Sequence, residues 1–380
     1  MMCTPIRVFF AACFISSGAS AQGALSMQGL GYPTGQMSAR SEGAGGALAD
    51  FDALSLVAPA AIAGVGSSSL FFQYSPEFRR VTAGANTAKT TTARFPLVAG
   101  VLPMGQQWTL GLSSSTFLDR SYETSLVRRE PIGNLITDSV DFTERTKVLG
   151  AINDVRLSLA WAGSNVFRVG VGGHVFSGSN RVTLSQIFPD STKYTSNSQS
   201  DRISYAGFAG SVGIEYHPSR AIGFALTGRK GANLRAQKGD TLLGDGRIPD
   251  HFSASVAFDG ITGATIAARV AHDSWSSLSS LSSTRIQAFD GWDTSVGAEV
   301  TGPRIIQRVI FVRAGARFRT LPFGLNGQKV SETSFMGGLG IPLTRERASF
   351  DLSVQRAARS ANSAIKETGY IFSFGLRVSP

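Results

Sequence analysis

Charged side chains recur at alternate positions in segments that are otherwise apolar or small. In Ile310-Phe311-Val312-Arg313-Ala314-Gly315-Ala316-Arg317, two arginines share one face of an extended chain. Guanidinium groups on one face suit an anionic headgroup, and they equally suit an ion-pair network that only holds a protein interior together. The candidates are Arg168, Glu215, Arg229, Arg269, Asp293, Glu299, Arg313, Arg317, Asp351 and Arg377.

Signatures of catalysis are absent from the sequence. The four histidines have no metal-ligand spacing, and there is neither a G-x-S-x-G elbow nor a P-loop. His272 and Asp273 are adjacent, but adjacent strand residues point to opposite faces, so these two cannot easily pair. The sequence therefore predicts a protein that is not an enzyme and uses no cofactor or metal.

Five phenylalanines allow two interpretations. They could line an apolar ligand pocket, or they could face lipid, where aromatic side chains are common in membrane barrels. The alternation of the sequence favours the lipid face for most of them. These residues are Phe71, Phe95, Phe117, Phe208 and Phe224.

Residues 1–21 have the three parts of a secretory signal peptide. Arg7 precedes a short apolar stretch, Val8 to Ile15, and Ala19-Ser20-Ala21 forms an A-x-A cleavage site. Cleavage there would start the mature chain at Gln22. Both cysteines would be removed with the signal, so no disulfide is expected; lipidation at Cys13 is the alternative, disfavoured by the short apolar stretch before it.

Export narrows the function classes that the basic composition allows. The net charge is +10, which in a cytoplasmic protein would suggest nucleic acid. In an exported protein, interior arginines or anionic lipid headgroups explain it better, and no nucleic-acid partner is expected. After the signal no apolar run reaches the 18 residues of a membrane helix, which leaves a soluble exported protein or a closed barrel.

The elements that must position these residues are strands. From about Ser67 onward, apolar residues alternate with small or polar ones, as in Tyr370, Phe372 and Phe374 against Ser373 and Gly375. Most candidate strands are long enough to cross a bilayer at a tilt. They span residues 67–75, 91–102, 107–119, 140–162, 165–177, 200–216, 220–231, 250–259, 262–273, 289–301, 305–319, 330–342, 347–357 and 367–378.

The connections alternate between tight and long. Tight turns are expected at Pro103-Met104-Gly105, Gly163-Ser164, His217-Pro218-Ser219, Asp259-Gly260, Gly302-Pro303 and Thr344-Arg345-Glu346, and long polar loops at 120–139, 178–199, 232–249 and 274–288. Outer-membrane barrels have short periplasmic turns and longer extracellular loops. The pattern predicts an all-β, transmembrane antiparallel barrel of about 14 strands with both termini periplasmic.

Residues 22–65 precede the barrel, which we place at 66–380. This stretch is rich in glycine and alanine and has no sustained amphipathic period. We interpret it as a plug or hatch segment, with a disordered tail or a periplasmic extension as alternatives. Its motif residues are Gly43, Gly46, Asp50, Pro59 and Ala60.

Two regions carry a family resemblance. Residues 41–53, Ser-Glu-Gly-Ala-Gly-Gly-Ala-Leu-Ala-Asp-Phe-Asp-Ala, and Pro59-Ala60-Ala61-Ile62-Ala63 resemble the N-terminal signature of the long-chain fatty-acid transporter (FadL-type) superfamily, with Ala58 where that signature has asparagine. Leu321-Pro322-Phe323 and Gly337 to Leu343 resemble other barrels of that superfamily. The resemblance implies about fourteen strands, a hatch inside the barrel and uptake of hydrophobic compounds.

Two function hypotheses follow. The first is passive uptake of hydrophobic or amphipathic, fatty-acid-like small molecules through a plugged lumen in the outer membrane of a Gram-negative bacterium. The alternative is a barrel without transport activity that binds a partner in a protein-secretion or envelope assembly. The expected partners are outer-membrane lipid, a hydrophobic small-molecule ligand and the barrel-assembly machinery during biogenesis.

Overall fold

The computed structural model describes residues 31–379 except 84–85, 132–138, 165, 282–287, 306–307, 326–327, 344–346 and 361–364. The predicted signal peptide, residues 1–21, lies outside the described residues, as do residues 22–30 of the predicted plug segment and the predicted turn at 344–346.

Antiparallel strands make up most of the described chain, and helices are short. The N-terminal segment, which we define as residues 31–65, contains α1 (Ala39–Gly43) and a 3-10 helix, Ala60–Gly64; a second 3-10 helix spans Trp275–Leu281. No helix in the described ranges is long and apolar enough to cross a bilayer. The strands are β1 (Ser69–Ala83), β2 (Asn86–Met104), β3 (Trp108–Asp119), β4 (Tyr122–Pro131), β5 (Ser139–Ala162), β6 (Phe167–Ile187), β7 (Asn197–Tyr216), β8 (Ile222–Lys238), β9 (Thr241–Arg247), β10 (His251–Ile261), β11 (Ala264–Asp273), β12 (Gly291–Ile305), β13 (Arg308–Leu325), β14 (Gln328–Leu343), β15 (Ala348–Ser360) and β16 (Ile365–Val378).

The sheet closes on itself as a barrel. Each barrel strand pairs with its neighbours in sequence, β8 pairs with β10, and β1 pairs with β16 from Leu70↔Val378 to Ala83↔Ile365. Of the sixteen strands, β4 pairs only with β5 and β9 only with β8. The remaining fourteen form the closed barrel, which confirms the predicted fold class and strand number. Each of these fourteen described strands therefore has a partner strand on both sides, as spanning a bilayer requires.

The two sides of the wall differ in chemistry, as the alternation predicted. On β16, Tyr370, Phe374, Leu376 and Val378 are exposed on the outside, whereas Ser373 and Gly375 are buried inside. Three of the five candidate phenylalanines, Phe95, Phe208 and Phe224, lie on the outer face. Phe71 and Phe117 are buried on the inner face, where their neighbours two residues away are serine, glutamine or aspartate.

The strands extend beyond the predicted ends at the end of the barrel that carries the long connections. β5 has 24 residues, which at about 3.4 Å per residue is roughly 80 Å of strand, well over the ~25 Å apolar band of a membrane barrel. The prediction of loops at 120–139, 178–199 and 232–249 was wrong in part, because β4, β9 and the ends of β6 and β7 occupy much of them. Strands above the bilayer need no lipid-facing apolar residues, so their polar sequences resemble loops.

Two predicted turns are displaced. β10 continues through Asp259 and Gly260 and reverses at Thr262-Gly263, where Gly263 has φ +77°. β12 continues through Gly302 and Pro303 with a bulge between Thr301 and Arg304. Glycine is favoured where φ is positive, so Gly263 rather than Gly260 marks the reversal.

A charged residue introduced on the outer face distinguishes the membrane-embedded part of the barrel from the strands that project beyond it. Val296 is 52% exposed on the outer face of β12, four residues further from the short turns than Val300, and Val127 is 68% exposed on β4. We expect Val296→Arg to lower assembly into membranes, at a cost of about 2–4 kcal/mol for an arginine near the midplane, and Val127→Arg to have no effect. Refolding titrations into lipid vesicles measure both; equal behaviour of the two variants would contradict the placement of the band.

Candidate functional site

The N-terminal segment is folded by its own polar contacts. Ser38 caps α1 by accepting a hydrogen bond from the Ser41 backbone N–H at 3.2 Å. Asp52 accepts hydrogen bonds from the hydroxyls of Ser38, Ser41 (2.8 Å) and Ser55 (3.0 Å). All four side chains are buried. Because a buried carboxylate is stable only when its oxygens are hydrogen-bonded, these serines fix the path of the segment.

Close backbone contacts seat the segment against the inner face of the wall. A Cβ on Gly213 of β7 would lie 3.0 Å from Pro59 Cδ and 3.1 Å from the Ala60 nitrogen. A Cβ on Gly43 would lie 3.0 Å from Gly338 Cα. Only glycine permits such approaches between backbones. The motif residues Gly43, Pro59 and Ala60 therefore face glycines of the wall.

Gly46 and its neighbour Gly45 have a different requirement. Their φ angles are +86° and +72°, a region that other residues adopt only with strain. These angles turn the chain immediately after α1. The turn brings the following residues, including Asp50, to the wall on the β10–β11 side.

A buried ion pair joins the segment to that wall. Asp50 is fully buried; its Oδ2 lies 3.0 Å from Arg269 Nε, and it accepts hydrogen bonds from Ser253 (3.0 Å) and Ser255 (2.5 Å). On β12, Glu299 accepts a hydrogen bond from Arg40 of α1 at 2.7 Å. These contacts attach α1 and the turn after it to different strands.

Tyr32 forms the centre of a second cluster at the other end of the segment. Its ring lies within 4.6–5.7 Å of the guanidinium carbons of four arginines, which is cation–π distance. Its hydroxyl donates to Glu332 at 3.0 Å and accepts from Arg319 and Arg359. Opposite charges surround these arginines. The members of this cluster, called the Tyr32 cluster below, are Tyr32, Glu77, Arg79, Arg94, Arg319, Glu332, Arg359 and Glu367.

Most of the predicted luminal charges are paired with one another or with the N-terminal segment. Arg168 lies 2.8 Å from Glu215, Arg313 bridges Glu299 (2.5 Å) and Asp351 (2.6 Å), Arg317 lies 2.9 Å from Asp293, and Arg269 binds Asp50. Arg377 is half-buried, and its Nε has no hydrogen-bond partner within the described ranges. Arg229 is only weakly paired, because its nearest carboxylate, that of Asp273, lies 3.9 Å away. The arrangement favours a structural role for most of these charges over a continuous row of free arginines.

A cavity of about 90 Å³ lies between the N-terminal segment and the wall. The segment contributes Gln36, Met37 and Val57; aromatic side chains come from Phe117 of β3 and from Trp275 of the second 3-10 helix. Phe117 and Trp275 stack at 5.4 Å between ring centroids. The charged and polar residues that line the cavity include His174, Ser211, Arg229, His251, Arg269, Asp273, Asp293, Arg317 and Arg319. A cavity with apolar walls and a few polar groups is typical of small-molecule sites.

His174 connects three strands beside this cavity. Its Nδ1 lies 2.9 Å from Asp154, its Nε2 lies 2.8 Å from Ser211 Oγ, and Asp154 accepts a hydrogen bond from Gln36 at 2.6 Å. The order Ser–His–Asp also occurs in serine hydrolases. Here Ser211 lies inside β7, paired with β6 and β8 on both sides, so its surroundings offer no free N–H pair for an oxyanion. The contacts position Gln36 of the segment.

Glu42 of α1 contacts only neutral groups closely. It accepts hydrogen bonds from Gln73 (3.3 Å) and Ser353 (3.4 Å) and has no ion pair within the described part of the chain. Burial raises the pKa of Glu42 from 4.5 to about 7. Among the described residues, no group of three or more His, Cys, Asp or Glu side chains could hold a metal ion.

The raised pKa of Glu42 predicts that seating of the segment depends on pH. Because the folded-state pKa exceeds the unfolded value, the stabilisation is complete below about pH 4.5 and is lost as the pH rises through about 7. The loss is up to about 3 kcal/mol, since one pKa unit is worth about 1.4 kcal/mol. The protection factors of the amides of residues 37–56, which correct for the intrinsic pH dependence of hydrogen exchange, should be higher at pH 5 than at pH 8, and Glu42→Gln should remove that difference; an unchanged difference in the variant would contradict the assignment.

Sequence reasoning missed several residues of this site. Gln36, Arg40 and Tyr32 precede the first strand, where no periodicity marks them, and Asp154 and His174 lie on adjacent strands 20 positions apart. The inward orientation of Phe117 could have been predicted, because Ser113 and Ser115 lie at alternate positions on the same face of the strand. His251, not His272, pairs with Asp273 (2.8 Å), in agreement with the expectation that His272 and Asp273 do not pair.

The comparison with solved structures identifies proteins of the same fold. No protein-family model matches the chain, and no curated protein matches it either. A solved Pseudomonas aeruginosa FadL homologue matches at a TM-score of 0.66 and 13% identity, over 92% of this chain and 99% of that one. The Pseudomonas putida toluene transporter TodX matches at 0.60 and 13% (91% and 98%), and the Ralstonia pickettii toluene transporter TbuX at 0.58 and 12% (91% and 98%).

At these identities the likeness shows the fold. It confirms the predicted resemblance to the FadL-type superfamily at that level. These three proteins are named as transporters or as a homologue of one.

Proposed function

We propose that this barrel, which shares the fold of the toluene transporters and the FadL homologue, is an outer-membrane channel for passive uptake of hydrophobic or amphipathic small molecules. The observation that carries the proposal is the cavity between the N-terminal segment and the aromatic wall, because a ligand there contacts both at once. An apolar compound would leave water for the aromatic surface of Phe117 and Trp275, which is favourable without an energy source.

The N-terminal segment acts as the hatch in this proposal. Two kinds of contact attach it to the barrel. The hydrogen-bonded Asp50–Arg269 pair lies at one part of the wall, and Pro59 and Ala60 contact glycines at another part. A ligand that binds better to a displaced segment shifts it toward the open arrangement by the difference in affinity. The ion pairs of the predicted luminal residues keep the lumen closed when no ligand is present.

The orientation also follows from the connections. β1 begins and β16 ends at the end with short turns, and Ser69 and Ser379 lie 2.9 Å apart there. We place this end, and with it the C-terminus, in the periplasm and the projecting strands outside the cell. The signal peptide and assistance by the barrel-assembly machinery remain predictions of the sequence.

A reversible cross-link tests the proposal. A Cβ on Gly375 would lie 3.2 Å from the Ala39 Cβ, a few tenths of an ångström below the separation in disulfides. With Ala39→Cys and Gly375→Cys, we expect cells to take up radiolabelled toluene slowly when the pair is oxidised and at the unmodified rate after reduction. The matched control is each single-cysteine variant, which should not respond to reductant.

The outcomes separate the hypotheses. Equal uptake in the oxidised and reduced states would refute the hatch role of residues 31–65. Uptake no faster than in cells without the protein would refute transport and favour the partner-binding alternative, which co-purification of another polypeptide would then support.

A further inference from the structure

Arg229 differs from the other arginines that line the cavity. Arg269, Arg317 and Arg319 each have a carboxylate within 3.0 Å, from Asp50, Asp293 and Glu332 respectively. Arg229 has its nearest carboxylate, Asp273, at 3.9 Å. Asp273 is in turn engaged by His251 at 2.8 Å. Among the described arginines that line the cavity, Arg229 is therefore the one whose charge is only partly compensated.

The guanidinium of Arg229 also has unused hydrogen-bond donors. Its side chain is 8% exposed. Among the described residues it donates only to the Pro249 carbonyl, at the long distance of 3.5 Å, and its Nε has no partner. A guanidinium carries five N–H donors in a planar fork that matches a carboxylate. A buried group with unmet donors gains more from an anionic acceptor than a solvated one would.

Aromatic side chains hold that guanidinium in place. Its Cζ lies 5.2 Å from the Phe117 ring centroid and 5.8 Å from that of Phe176. Phe117 stacks on Trp275, so aromatic side chains continue from the cation along the cavity. A ligand ring packed against these side chains would place a substituent at Arg229.

The cavity size limits the apolar part of the ligand. Its volume is about 90 Å³, whereas an apolar cavity of roughly 150 Å³ binds benzene. The cavity thus accepts at most one ring, with small shifts of a lining side chain such as Met37.

We infer that this cavity selects small aromatic carboxylates, with the ring on Phe117 and Trp275 and the carboxylate on Arg229. The inference rests on the proposed uptake function and narrows its substrate class from hydrophobic compounds in general to single-ring aromatic acids. Met37 and Val57 form the floor, so the same ligand would contact the N-terminal segment.

Matched probes test the charge of the ligand. Benzoate and benzamide have the same shape and differ in charge, and calorimetry on the full-length protein in detergent at pH 7 measures both. We expect benzoate to bind at least tenfold more tightly than benzamide, Arg229→Gln to abolish that preference and Arg229→Lys to retain part of it. The control is Arg202→Gln, because Arg202 lies on β7 outside the cavity and, in the described part of the chain, donates only to Ser179.

Equal binding of benzoate and benzamide by the unmodified protein would overturn the inference, as would a preference that persists in Arg229→Gln. If Arg229→Gln does not fold, loss of the preference in the unmodified protein at 1 M salt, with benzamide binding unchanged, supports a charge-based site. If cells take up toluene but show no preference for benzoate over toluene, only this inference is refuted. If they take up neither toluene nor benzoate, the proposed function is refuted.

Discussion

Asp50→Ala is expected to release the N-terminal segment from the barrel wall. The substitution leaves Arg269 buried without its closest carboxylate and removes an acceptor from Ser253 and Ser255. Breaking a buried ion pair by removing one partner costs about 3–5 kcal/mol, which corresponds to a rise of roughly a hundredfold or more in the released population. Planar-bilayer recordings should show more frequent and longer openings.

Two variants control for other causes of this effect. Asp50→Asn keeps the shape and an acceptor for the serines, so its effect should be smaller. Asp240→Ala removes a carboxylate from an exposed turn and should leave the conductance unchanged. Limited proteolysis within residues 31–65 provides an independent readout. If Asp50→Ala behaves like the unmodified protein in both assays, this ion pair does not hold the segment.

Arg359→Met is expected to prevent assembly of the barrel. Arg359 is 0% exposed and donates to Glu77 at 2.8 Å, to Glu332 at 2.5 Å and to Glu367. Methionine fills similar space but donates no hydrogen bond, so three buried carboxylates each lose a donor. The cost of about 3–5 kcal/mol for a broken buried pair is a large part of the 5–15 kcal/mol that stabilises a typical protein.

The matched control lies three residues earlier on the same strand. Arg356 is exposed on the outer face of β15, and Arg356→Met should assemble as well as the unmodified protein. Heat-modifiable migration on gels reports the folded fraction of each variant. A normal folded fraction for Arg359→Met would show that the Tyr32 cluster is dispensable for assembly.

The strand number could be predicted because alternation is a local property. On β16, lipid on one side and a small or polar interior on the other impose a period of two that the sequence displays directly. The strand ends could not be predicted in the same way. Residues 86–90, Asn-Thr-Ala-Lys-Thr, belong to β2 but lie where no lipid selects apolar side chains.

Whether a phenylalanine points into the barrel or outward could be predicted only from the residues at alternate positions beside it. Phe95 follows the expected outward pattern, whereas Phe71 and Phe117 share one face of their strands with serine or glutamine and point inward. Bulges between Gln73 and Ser75 and between Thr116 and Leu118 further change the register locally. Such bulges insert one residue and are not evident from the alternation.

By itself, the sequence determined a closed antiparallel barrel with about fourteen strands and inward-facing charges, because each of these depends on a repeat within one strand. Only the tertiary structure decided which charges are neutralised. Tyr32 and Glu332 are 300 positions apart and hydrogen-bonded, and Arg229 is left weakly paired because Asp273 is closer to His251. Such partners are set by barrel closure and by the path of the N-terminal segment, and no local pattern encodes either.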